Sequence, residues 1–246
     1  MSGGRIIALS GGVGGAKLVL GLSHTNASDR ITVVANTGDD FEHFGLKICP
    51  DIDTILYTLS GLSDQERGWG RANESWTFMK AMGDFSEEDW FNLGDGDLAL
   101  HVLRTHQLRQ GASLSAVTAD IAVRMGIDTE ILPMSDHPVS THVEAPDGPL
   151  AFQHYFVRER CEPVVTGFRF EGIEQAPLNP ALVQHFRQGP DAVIIAPSNP
   201  FVSIDPILSL PTLGKKIQRL RQLGVPIVAV SPIVDGAAIK GPAAKM

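Results

Sequence analysis

Residues 10–17 read Ser10-Gly11-Gly12-Val13-Gly14-Gly15-Ala16-Lys17, directly after a β-branched apolar run and at the start of a helical pattern. Glycines at a strand-to-helix turn let backbone N–H groups approach an anion at the positive end of the helix, and Lys17 adds a point charge. The chemistry this suggests is phosphate binding. It is not a Walker loop, because Lys17 is followed by Leu18 where that motif needs Ser or Thr. A dinucleotide fingerprint fails as well: its third glycine would fall on Lys17, and the ribose-binding acid expected after the second strand is Asn36. The plainer alternative is that Gly11, Gly12, Gly14 and Gly15 only seat a helix closely on a sheet.

Acidic residues fall in three pairs, each at the mouth of an element. Asp39 and Asp40 close Asn36-Thr37-Gly38-Asp39-Asp40; Asp51 and Asp53 lie two apart in Cys49-Pro50-Asp51-Ile52-Asp53-Thr54; Asp95 and Asp97 follow Leu93-Gly94. Any one of them could cap a helix, Asp53 included. Three pairs beside a phosphate loop fit a hard cation better, since Mg²⁺ binds one or two carboxylates together with substrate phosphates. Glycine turn plus carboxylates predicts metal-assisted phosphoryl chemistry. Ala196-Pro197-Ser198-Asn199-Pro200 and Ser231-Pro232-Ile233-Val234, the latter followed by Lys240-Gly241-Pro242, end two further apolar runs. Ser198 and Asn199 suit a base edge or a phosphate; alternatively the prolines stop strands and Asn199 makes a turn. The histidines are dispersed without ligand spacing, so His101 reads as structural. Trp69, Trp76 and Trp90 could stack on an aromatic substrate or simply pack.

These residues need a scaffold to hold them. Residues 5–9, 31–35, 192–196 and 226–230 are strand-length, uniformly apolar runs, the pattern of strands covered on both faces. Helical patterns at 16–22 and 212–223 lie between them, which predicts a doubly wound, mostly parallel α/β sheet. Helices are expected at 53–59, 98–109 and 114–125. Asp97 and Ser113 are expected to cap the last two at their starts, and Gly111 and Gly126 to follow their ends. Residues 141–170 break the pattern: 141–144 and 152–157 read as a hairpin around Asp147-Gly148, followed by alternation over 164–170. The expectation is one domain over 1–246 with a small antiparallel flap.

Composition narrows the function classes. Of 246 residues 43% are hydrophobic, and the net charge is −8 with basic residues scattered singly, so nucleic acid and anionic membrane surfaces are excluded as partners. No run approaches a membrane span. Cys49 and Cys161 lack C-x-x-C spacing and no signal segment is evident, which fits a reduced, cytoplasmic protein.

With these pieces in order, the chain resembles the 2-phospho-L-lactate transferase family of coenzyme F-420 biosynthesis. The resemblance is carried by residues 10–17 and 36–40, by Pro50-Asp51-Ile52-Asp53-Thr54, by Glu66-Arg67-Gly68-Trp69-Gly70 and by Trp90-Phe91-Asn92-Leu93-Gly94-Asp95. Residues 131–136, Pro197-Ser198-Asn199-Pro200 and Ser231-Pro232-Ile233-Val234 continue it collinearly towards the last residues. It implies a Rossmann-like three-layer fold and a homodimer. The implied reaction moves a phospho-carboxylate unit (phospholactate, phosphoenolpyruvate or 3-phosphoglycerate) from its guanosine diphosphate adduct to the terminal ribityl hydroxyl of the deazaflavin Fo. GMP leaves, and Mg²⁺ is required.

Carried onto this chain, the resemblance places Gly11, Gly12, Gly14, Gly15 and Lys17 at the diphosphate, with Asn36 beside them. Asp39, Asp40, Asp51 and Asp53 become the metal ligands. Asp53 is the first candidate for orienting or deprotonating the hydroxyl, with Asp51 beside it, and Asp53→Asn is expected to leave the melting temperature nearly unchanged. Thr54, Asn92 and Asp95 fall at the deazaflavin pocket, and Ser198, Asn199 and Ser231 at the guanosine. Two departures stand out. The family's Gly-Asp-Arg-Asp is here Gly94-Asp95-Gly96-Asp97, and relatives continue for some tens of residues beyond Gly241-Pro242, so the family's C-terminal segment is expected to be missing. The rival reading is a guanine-nucleotide or deazaflavin binder without turnover.

Overall fold

The computed structural model describes residues 4–25, 27–86, 88–239, 243 and 246. The chain runs from β1 (Ile6–Ser10) through α1 (Gly12–Ser23) to β2 (Ile31–Ala35), then makes the hairpin β3 (Phe41–His43) and β4 (Leu46–Ile48). Helices α2 (Pro50–Leu59), α3 (Thr77–Met82), α4 (Asp95–Arg109) and α5 (Leu114–Arg124) precede β5 (Glu130–Pro133). The flap is β6 (Ser140–Glu144), β7 (Leu150–Ala151) and β8 (Gly167–Glu171). Helix α6 (Pro180–Gln188) leads to β9 (Ala192–Ile195), and α7 (Asp205–Leu208) and α8 (Leu213–Gln222) lead to β10 (Ile227–Ala229). A last hairpin joins β11 (Ile233–Val234) to β12 (Ala237–Ala238).

The main sheet has the order β10-β9-β1-β2-β5, with every pairing parallel. Period-two alternation divides its side chains between two cores. Ala8, Val33 and Ile131 face one way with Ala16, Ile52, Ile55, Val117 and Ile121 from α1, α2 and α5. Ile7, Leu9, Val34 and Val193 face the other way with Leu182, Ile207 and Leu220 from α6, α7 and α8. Helices therefore cover both faces, as expected for the doubly wound class. Because β1 is followed on one side by β2 and flanked on the other by β9, the strand order reverses between β1 and β9. The crevice outside the carboxyl ends of these strands is where such sheets bind ligands.

Local signals explain the element ends. The Ser113 hydroxyl accepts from the Ala116 N–H at 3.2 Å and opens α5, and Gly111 and Gly126 follow α4 and α5 with φ of +92° and +70°. Four expectations are corrected. Helix α1 begins at Gly12, not at residue 16, and α2 begins at Pro50, not at 53. Asp97 is not the cap of α4; Gly94 holds that position and Asp97 sits inside the first turn. Residues 154–158 form a single π-helical turn where a strand was expected. The reason is spacing: Phe152, Tyr155 and Phe156 recur at i, i+3, i+4, so a turn gathers them, with Phe152 and Tyr155 buried against Val143 and Val202. Lys240-Gly241-Pro242 lies outside the described residues. Among the described residues no helix is long and apolar enough to cross a membrane.

Helix α4 is capped from a distance. The Glu74 carboxylate, whose side chain is 2% exposed, accepts the Gly96 N–H at 2.7 Å and the Asp97 N–H at 2.8 Å. A carboxylate at that end also meets the positive end of the helix dipole. Glu74→Ala should cost about 2 kcal/mol and lower the melting temperature by roughly 4–8 °C, readable by calorimetry.

Candidate active site

The turn after β1 and the turn after β9 close on each other without spare room. The Gly11 N–H donates to Ser198 Oγ at 3.0 Å. A side chain at Gly14 would run into the Pro197 carbonyl, and one at Gly15 into the Ser10 and Ser198 hydroxyls. Gly12 takes φ +59°, the left-handed region that favours glycine. So Gly14 and Gly15 do seat the helix closely, as the plainer reading held. Gly11 and Gly12 instead border a carboxylate: Asp51 approaches both, accepting the Gly12 N–H. The start of α1 thus holds an anion, supplied by the chain itself.

Asn36, fully buried at the end of β2, organises the acids around it. Its Nδ2 donates to Asp51 Oδ2 at 2.9 Å, to Asp39 Oδ1 at 3.2 Å and to the Val202 carbonyl at 3.2 Å. Its Oδ1 accepts the Gly38 N–H at 2.8 Å. Next to this pair, Asp40 Oδ2 accepts the Cys49 thiol at 3.1 Å and lies 3.3 Å from Lys47 Nζ, while its Oδ1 is buried with no partner among the described residues. Burial pushes the Asp51 carboxyl up to about 6, against the hydrogen bonds from Asn36, the Gly12 N–H and Ser203. Asp39 rises well above the usual carboxylate range, first through burial and then through the charges of Asp51 and Asp40. Burial raises Asp40 too, with Lys47 pulling it back.

Asp53 is not in this group. At two residues' separation in a helix it points about 200° away from Asp51. Its carboxylate is gripped by both terminal nitrogens of Arg104, with Nη1 at 3.1 Å and Nη2 closer still. His101 Nδ1 lies 3.7 Å from Asp53, His101 Nε2 lies 3.2 Å from Asp97, and the Tyr57 hydroxyl donates to Asp97 at 2.5 Å. Arg104 is fully buried. Asp53, Asp97 and His101 do bring ligand atoms within 4.8 Å of one another. The guanidinium on Asp53 already supplies the cation there, so the trio reads as a closed ion-pair network. The expectation of four acids around one ion fails for Asp53, which stands apart; Asp39, Asp40 and Asp51 are neighbours, but among the described residues only Asp53, Asp97 and His101 bring three ligand atoms within 4.8 Å of one another.

The other expected residues divide as follows. Ser198 is in the site. Asn199 caps the turn that follows it, accepting the Phe201 N–H at 3.0 Å, and the exposed Ser231 closes its own turn onto Ile233. Lys17 is exposed in the second turn of α1, past the loop it was expected to serve. Thr54 is half-buried in α2. Asp95 accepts the Ser75 hydroxyl at 2.6 Å and the Phe78 N–H at 3.0 Å, so it anchors the start of α3. Exposed Asn92 lines a separate cavity of about 560 Å³ with Arg67, Trp69, Trp76, Met79 and Lys80. There the Arg67 guanidinium lies 5.2 Å from the Trp69 ring and 5.0 Å from that of Trp76. Trp90 packs away from this cavity, on Phe41, Phe91, His43 and His154. A side chain at Gly96 would collide with the Arg71 guanidinium, which fills that volume and pairs with Glu74 at 3.2 Å.

Arg104 and Lys47 were not picked out from the sequence, and Tyr57 and Ser203, which lie in the family-like strings Tyr57-Thr58-Leu59 and Ser203-Ile204, were given no role there. Asp97, His101 and Arg104 fall at i, i+4, i+7, a polar stripe on a helix, and that was the available signal.

Comparison with known proteins adds the family. The family model "2-phospho-L-lactate transferase CofD" matches residues 6–246. The chain is 40% identical over 248 residues to a phosphoenolpyruvate transferase of Kitasatospora aureofaciens, covering 98% of this chain and 76% of that one. It is 38% identical over 241 residues to a 2-phospho-L-lactate transferase of Methanosarcina mazei, covering 98% and 78%. A UPF0052 family member from Bacillus halodurans, of known crystal structure, superimposes with a TM-score of 0.61 at 16% identity. That match covers 89% of this chain and 66% of the other, and it speaks to the fold alone.

Proposed function

Since the chain belongs to the 2-phospho-L-lactate transferase (CofD) family, it is a transferase of coenzyme F-420 biosynthesis, and we propose that it moves a phospho-carboxylate unit from a guanosine diphosphate adduct to the terminal hydroxyl of Fo, releasing GMP. One observation carries the reading: buried carboxylates with raised pKa meet the glycine turn at the reversal point of the sheet. Asp39, Asp40 and Asp51 offer an all-oxygen, anionic donor set with a buried Asp40 oxygen that has no partner among the described residues, the ligand chemistry Mg²⁺ takes, although their ligand atoms converge less closely than those of Asp53, Asp97 and His101. Asp39, Asp40 and Asp51 would hold the ion, and its chemistry there is to neutralise diphosphate charge.

The chain's own groups do the rest. The first-turn N–H groups of α1 receive the diphosphate beside the Asp51 carboxylate, and Ser198 fixes the facing wall through Gly11. Asn36 holds Asp39 and Asp51 in register. Asp51, buried at the glycine turn, takes the role of orienting the attacking hydroxyl. The cavity of Trp69, Trp76 and Asn92 suits a flat ring system. Phosphoryl transfer to a neutral alcohol is mainly positioning and charge neutralisation, so few groups need to exchange protons.

The test is incubation of purified protein with Fo, Mg²⁺ and each guanylylated acid in turn, with products identified by mass. An Fo ester and equimolar GMP are expected, and chelation of the metal should stop both. Binding of GDP and Fo without GMP release from any donor would replace this reading with the inactive binder.

A further inference from the structure

A second, smaller recess of about 140 Å³ opens beside the carboxylates, roughly the volume of five liquid waters. Thr37, Asp40 and Lys47 line its polar side, and Leu108, Leu114 and Val139 its apolar side. Two of its lining residues carry a buried polar atom that lacks a partner. Thr37 is 3% exposed and its Oγ1 has no hydrogen-bond partner among the described residues; nor does Asp40 Oδ1. Lys47 Nζ, 24% exposed by side chain, is the ammonium at this place, 3.3 Å from Asp40. Asp136, at the rim, is engaged elsewhere: its Oδ1 accepts both the N–H and the hydroxyl of Ser115, each at 2.7 Å. The backbone of Lys47 is pinned as well, its N–H donating to Thr105 Oγ1 at 2.8 Å.

We propose that this recess binds the carboxyl end of the transferred three-carbon unit, with Lys47 as its ion-pair partner and Thr37 as its hydroxyl donor. The inference rests on the transferase reading and assigns a part of the donor that the glycine turn leaves unassigned. A buried hydroxyl without an acceptor and a lysine beside it match a short carboxylate. The apolar wall of Leu108, Leu114 and Val139 matches the methyl or methylene carbon next to it. Asp40 both lines the recess and acts on the charges of Asp39 and Asp51, so the recess adjoins the carboxylates at the glycine turn. Lys47 and Thr37 are positioning residues that set donor preference.

The test is calorimetric titration, with Mg²⁺ and without Fo, using GDP and guanylylated phospholactate as separate ligands. Lys47→Met should weaken the guanylylated acid by about 10- to 100-fold and leave GDP within about twofold. Thr37→Val should weaken the acid by roughly fivefold, again sparing GDP. Lys47→Arg should restore binding. Equal weakening of both ligands, or of neither, would overturn the assignment. Failure of the transferase reading looks different: the wild-type protein would release no GMP in the turnover assay, whatever the variants bind.

Discussion

Asp51→Asn is expected to reduce turnover by about 10³-fold, the scale of losing a charge-stabilising group worth several kcal/mol. At the same time it should make the metal-free protein more stable. The folded-state carboxyl titrates near 6 against an ordinary value of 3.8, so the fold favours its neutral form. Its contribution to stability is therefore fully present below about pH 4 and is lost as pH rises through about 6. By pH 8 the loss is roughly 3 kcal/mol. Asparagine removes the charge, so the variant's melting temperature at pH 8 should rise by roughly 6–12 °C, with little change at pH 4. Added Mg²⁺ should stabilise the wild type at pH 8 and have a much smaller effect on the variant. Unaltered turnover would take Asp51 out of the mechanism.

Asp53→Asn should behave in the opposite way, and here the structure reverses the expectation of a nearly unchanged melting temperature. Arg104 is fully buried with Asp53 as its bidentate partner. Removing the carboxylate strands a guanidinium, at a cost of about 3–5 kcal/mol, and the melting temperature should fall by on the order of 10 °C. The double variant Asp53→Asn/Arg104→Met should recover much of that loss, because the uncompensated charge goes with it. If the single variant melts like the wild type, the network is not structural. Loss of activity in the single variant that the double variant also regains would mark Asp53 as a positioning residue acting through α4.

The difference between these two aspartates shows how far the sequence could be read. Both lie in Pro50-Asp51-Ile52-Asp53, and with a helix starting at 53 nothing prevents them from facing one ion. Once α2 starts at Pro50, at the first helical position that proline favours, they must diverge. The four apolar runs were legible because uniform burial needs no tertiary detail. Strand β5 was not, since Glu130-Ile131-Leu132-Pro133 is short, ends in proline, and owes its conformation to pairing with β2 at the sheet edge. The glycine turn and Asp39, Asp40 and Asp51 were legible as residue types at the mouths of elements. Arg104 was not, because a lone arginine on a helix reads as solvated until another helix delivers the acid that buries it.

Asn36 carries two amide hydrogens and faces three acceptors: Asp39, Asp51 and the Val202 carbonyl. The two hydrogens are shared among the three, so the turn after β2, the start of α2 and the segment that follows β9 are tied to one amide, and a change at any of them would redistribute the bonds of the other two.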